Sequence, residues 1–180
     1  MTAMLLLVLA VVLLVALARW LTWTANRLDR MHHRIDVARA SLDGQLMRRS
    51  GATLELATSE ALDPPSRLLL LDAASQARGA EPAELEAAES ALSEALRAVF
   101  ATREAVATLR ADPDLAPLVD ELGRDCTRVQ LARRFHNDAV VTARALRSRR
   151  RVRWLRLAGR APDLRTVDLD DVPPTALTTP

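Results

Sequence analysis

The sequence predicts an all-α protein: an N-terminal transmembrane helix followed by an antiparallel, coiled-coil-like four-helix bundle. Three observations carry that prediction. Helix-favouring residues dominate, with 32 Ala and 32 Leu in 180 residues. Strand-favouring aromatics are scarce, with two Phe, three Trp and no Tyr, and none of the five Gly forms a glycine-rich turn after an apolar run. Apolar residues also recur at alternating spacings of three and four, the period of an amphipathic helix.

The first element meets a membrane. Met4 to Ala18 is an unbroken apolar run of seven Leu, four Val, three Ala and one Met. Extended from Ala3 to about Thr22, it approaches the roughly 30 Å of a hydrocarbon core. Arg19 then snorkels from the last turn, and Trp20 and Trp23 fall where an interfacial belt belongs. Ala16-Leu17-Ala18 resembles a signal-peptidase site, but Met1-Thr2-Ala3 lacks the basic residue such signals carry. Arg19, Arg27, Arg30 and Arg34 follow the span and no basic side chain precedes it. The positive-inside rule therefore puts the N-terminus outside and the rest in the cytoplasm of a plasma (inner) membrane, single-pass.

Residues 26–61 read as the first bundle helix, with a seam of Leu28, Met31, Ile35, Ala38, Leu42, Gln45, Arg49, Ala52 and Leu56. Asp63-Pro64-Pro65-Ser66 ends it, and Ser66 is placed to cap a short second helix over 67–78 that stops at Gly79. A third helix runs from about Pro82 to Arg110 and is broken by Asp112-Pro113. A fourth runs from 114 or 115 to about Arg151, along Leu115, Val119, Leu122, Cys126, Val129, Arg133, His136, Val140 and Ala143. The stretch from 166, acidic and then rich in Pro and Thr, reads as disordered. The expected divisions are an anchor at 1–25, a bundle at 26–152 and a basic, then acidic and Pro-rich disordered tail at 153–180. Short links make successive helices antiparallel neighbours.

Charge and cysteine exclude several chemistries. All 25 basic residues are Arg, which removes lysine Schiff-base and lysine-dependent phosphate-loop mechanisms. Cys126 is the sole cysteine, so no intrachain disulfide staples the fold.

Several segments together resemble the LemA family. They are Asn26-Arg27-Leu28, Ile35-Asp36-Val37-Ala38, Ser41 to Arg49, Asp112-Pro113-Asp114-Leu115, and Ala132 to Val140 with its Phe135-His136-Asn137-Asp138 centre. They occur in the family's order over roughly residues 1–150. The resemblance implies an N-terminal membrane anchor, a mostly helical bundle and no established catalytic activity. The chain departs from the pattern at Ala52 to Leu56, which lacks the family's Pro. It departs again at His136, where Tyr is common, and at Cys126, which aligns with a common Glu.

Four constellations stand out. Gln45 and Arg49 on the first seam face Arg133 and His136 on the fourth if those helices pair antiparallel, with Arg49 opposite about residue 127. The four would form a mid-bundle polar layer that fixes register, with Asp43, Asp125 and Asp138 the nearby carboxylates. Asp29, His32, His33 and Asp36 share neighbouring turns but lack a second ligand cluster, so they read as solvent-facing and no metal or cofactor is expected. Cys126 and His136 lie ten residues apart on one helix, about 15 Å, beyond nucleophile–base reach. Finally, Arg144, Arg147, Arg149, Arg150, Arg151, Arg153, Arg156 and Arg160, with Trp154 among them, lie in a stretch without acids. That run suits anionic headgroups or an acidic partner better than nucleic acid, since no nucleic-acid motif accompanies it.

These readings converge on a non-enzymatic, membrane-anchored scaffold or adaptor. Its expected partners are other membrane proteins and inner-leaflet lipid, and its seams also permit homo-oligomers. The competing readings are a ligand-binding or enzymatic domain using the polar layer, and an electrostatic nucleic-acid binder using the arginine run.

Overall fold

The computed structural model describes residues 1–147 and 164–178, and every regular element among them is helical. Helix α1 spans Thr2–Thr58, α2 Pro64–Gly79, α3 Leu85–Val99, α4 Arg103–Arg110, α5 Ala116–Arg147 and α6, a single turn, Thr175–Thr178. The predicted anchor and the first bundle helix are thus one continuous helix, because no Pro interrupts the chain between them.

The local signals work with three adjustments. Asp63, not Ser66, caps α2: its carboxylate accepts the Ser66 backbone N–H at 3.1 Å, and Pro64 and Pro65 occupy the first turn. The same hydrogen bonds hold the Asp63 carboxyl below its ordinary value. The helix expected over 82–110 is two helices. It stops at Phe100, which is buried at 1% exposure, and restarts where the Thr102 hydroxyl accepts the Ala105 N–H at 3.3 Å. The apolar period continues across that break, so periodicity alone does not reveal it. The fourth expected helix is described to Arg147, and its last residues, 148–151, lie outside the described stretch.

The chain divides into two compact units. One comprises residues 1–37 and 138–165, and its core is Val140, Ala143 and Leu164 with Met31 and Ile35 packed against them. The α1 segment Thr2–Trp20 in this unit is long and apolar enough to cross a membrane, with a mean hydropathy of 2.6 and none of it buried.

The second unit comprises residues 38–137 and 166–180. Its larger cluster joins Leu56 of α1, Leu70 of α2, Leu92 and Leu96 of α3, Val106 of α4 and Leu122 of α5. A smaller cluster joins Leu42 and Leu46 of α1 to Val129 and Ala132 of α5, and includes Val167 and Leu169.

Those last two residues overturn the expectation of disorder, at least for residues 164–178. Leu164, Val167, Leu169, Ala176 and Leu177 are all buried. Composition counts Asp, Pro and Thr as solvating. It does not register that the apolar residues between them alternate, so that one side of an extended segment can enter a core.

Candidate functional site

Arg49 and Arg133, two residues of the expected polar layer, take separate carboxylates. Arg49 is buried at 1% exposure, and its partners come from α3. Its Nη1 donates to Ser93 Oγ at 2.8 Å, and its Nη2 donates to the Glu89 carboxylate at 2.5 Å and to the Glu89 carbonyl at 3.1 Å. Both side chains of this ion pair are 2% exposed. Burial pushes the Glu89 carboxyl above its ordinary value, and Arg49 opposes the shift.

None of the three nearby carboxylates expected from the sequence serves Arg49. Asp43 pairs with Arg39, Asp125 pairs with Arg128, and Asp138 is exposed. Glu89 was invisible to a reading of the α1 and α5 seams, because it reaches Arg49 from a third helix.

Arg133 takes a different carboxylate. Its Nε and Nη2 donate to the two oxygens of Asp171 at 2.6 and 3.0 Å, and this pairing holds the guanidinium firmly charged. His136 is buried at 3% exposure. Gln45 is half-buried and accepts from Arg48 Nε at 3.3 Å.

Arg133 leads to the most elaborate polar surface among the described residues, the groove on α3 and α5 that holds residues 166–172. Asn137 grips the backbone of Val167 at both ends: its Nδ2 donates to the Val167 carbonyl and its Oδ1 accepts the Val167 N–H, each at 2.9 Å. Ser90 Oγ accepts the Asp170 N–H at 3.0 Å. Arg97 forks the Asp170 carboxylate at 3.2 and 2.5 Å and donates to the Val172 carbonyl at 2.9 Å. That fork lowers the Asp170 pKa from its ordinary value. Helix spacing makes this surface possible: Ser90 and Arg97 lie seven residues apart on α3, Arg133 and Asn137 four apart on α5.

The remaining candidates are less organised. Cys126 is buried, and burial raises its thiol pKa to about 11 although Arg49 opposes the shift, which leaves it protonated and inert near neutrality. His32 is half-buried, while His33 and Asp36 are exposed. Among the described residues no three His, Cys, Asp or Glu side chains converge as a metal site would require. Arg144 is exposed, and Arg147 belongs to the last turn of α5. Arg149, Arg150, Arg151, Arg153, Trp154, Arg156 and Arg160 lie outside the described residues. An open cleft of about 650 Å³ is lined by Arg110, Gly123, Arg124, Arg128 and Leu177, with Asp120 and Asp125 already paired to two of its arginines. A second cleft of about 270 Å³ includes Leu46, Pro82, Leu85 and Glu89 in its lining.

Compared with known proteins, the chain matches the model of the LemA family over residues 66–146, from the first turns of α2 to the end of α5. No curated protein and no solved structure matches it.

Proposed function

We propose that this chain, which matches the LemA family model over residues 66–146, is a LemA-type, membrane-anchored, non-enzymatic scaffold or adaptor. Its bundle stands in the cytoplasm and engages other membrane proteins and anionic lipid of the inner leaflet. The observation that carries this reading is the segment Thr2–Trp20. It is unbroken apolar sequence from Ala3 to Ala18 and unburied, and it continues without a break into the rest of α1, which contributes to the cores of both units. A 19-residue stretch of this composition suits the hydrocarbon of a bilayer, and its ~28 Å length suits that thickness.

Lipid contact fits the first unit. Val140 and Ala143 near the end of α5 pack with Met31 and Ile35, in the part of α1 that follows the span. Arg144 and Arg147 follow those α5 residues in the chain. Each basic group near an anionic surface contributes about 1 kcal/mol.

Topology decides the reading. Intact mass should show residues 1–18 retained in the membrane fraction, and a protease should cleave the bundle only when added from the cytoplasmic side. A chain beginning at Arg19, or a bundle cleaved from outside, would overturn it.

A further inference from the structure

We propose that the groove on α3 and α5 is a docking site for an extended acidic peptide of a partner protein, and that residues 166–172 occupy it in cis as a displaceable copy of that ligand. The proposal rests on the adaptor reading and gives its partner a chemistry.

The segment is held as a peptide ligand is held. Residues 166–174 have no regular structure of their own. Their main chain is gripped by side chains at four points: Asn137 at the N–H and carbonyl of Val167, Ser90 at the Asp170 N–H, and Arg97 at the Val172 carbonyl. A side-chain amide closing on both backbone groups of one residue recognises extended chain without regard to sequence.

Specificity comes from the alternation. Val167 and Leu169 enter the cluster with Leu42, Leu46, Val129 and Ala132, while Asp168 between them is exposed. The following carboxylates each meet a guanidinium fork, Asp170 at Arg97 and Asp171 at Arg133. The groove therefore reads apolar, any, apolar, acid, acid.

A partner protein suits this site better than a second copy of the chain. Sixteen residues separate Arg147 from Leu164, enough to tether the segment to its own groove. Linkage through one chain makes the docking of this segment intramolecular. Exchange of the segment between two copies forfeits that advantage and gains no contact. A partner that presents the same pattern with better apolar anchors gains contacts and displaces the cis segment.

The test uses the full chain in detergent micelles and a fluorescent peptide of residues 164–178. Asp170→Asn combined with Asp171→Asn weakens the cis segment. The peptide should then bind this variant at least ten-fold more tightly than the wild-type chain. Adding Asn137→Ala to the weakened chain should remove that gain, and a scrambled peptide should bind neither. Equal binding to the wild-type and weakened chains would overturn the proposal. So would loss of cooperative melting in the weakened chain, because the segment would then be core rather than ligand. A dimer that the free peptide dissolves would assign the groove to a second copy and overturn the partner named here. Membrane retention and protease sidedness, measured on the same variants, report the anchor separately, so failure of the groove leaves the adaptor's topology standing.

Discussion

Removing Arg49 leaves the Glu89 carboxylate buried without a counter-charge, whereas removing both leaves an apolar gap that apolar side chains can fill. Arg49→Met should destabilise the fold by about 3–5 kcal/mol, and Arg49→Met with Glu89→Leu should recover most of that loss in urea titrations. A double variant as unstable as the single one would mean that the pair is worth more than its desolvation costs. The pH dependence follows from the raised Glu89 pKa. Across the interval between the ordinary carboxylate value and the raised one, the folded chain keeps a proton that the unfolded chain has lost. This group's contribution therefore falls as pH rises through that interval, and Glu89→Gln should flatten it.

At the scale of elements, Gly123 is where α5 meets the C-terminal turn. A Cβ there would stand 2.6 Å from the Leu177 carbonyl oxygen, which is backbone and cannot swing aside. Gly123→Ala should therefore detach α6 and speed hydrogen exchange at Leu177. Gly44→Ala meets nothing closer than 4.0 Å in mid-α1 and should stabilise by about 0.5–1 kcal/mol. Unchanged exchange at Leu177 in the Gly123 variant would show that the turn relocates at no cost. The break between α3 and α4 makes a separate claim: Thr102→Ala removes the cap of α4 and should cost about 1 kcal/mol in thermal melts.

For the whole molecule, the packed segment changes what counts as the soluble domain. Residues 26–180 should fold without the span. Residues 26–152 should melt at a lower temperature and bind a hydrophobic dye, because Leu42, Leu46, Val129 and Ala132 lose the cover of Val167 and Leu169. Matching melting curves would show the segment to be peripheral. The longer fragment should bind anionic vesicles and not neutral ones. It should lose that binding in molar salt, or when Arg149, Arg150, Arg151 and Arg153 become Gln. The apolar N-terminal helix, the seams and most helix ends behind these expectations were legible in the sequence, because they depend on residues a turn or two apart. The groove was half legible: Arg133 stood out as a charge on an apolar seam and Asn137 lay in a family-like segment, but Arg97 and Ser90 carried no mark.

The sequence by itself determined that the chain is helical, that its N-terminal segment is long and apolar enough to cross a membrane, and which seam residues face inward. Leu42, Leu46, Val129 and Ala132 are buried where the three-four spacing puts them. Hydrophobic period, Pro and cap residues act within one helix, and their effect does not depend on what packs against them. Only the tertiary structure decided which carboxylate each of the two seam arginines takes. Glu89 lies 40 residues from Arg49, and Asp171 lies 38 from Arg133. It also decided that an acidic, proline-bearing tail is held in place. Ion pairs and backbone clamps of that kind form between elements whose approach is set by the packing of the whole core, and nothing in a local pattern specifies which partner arrives.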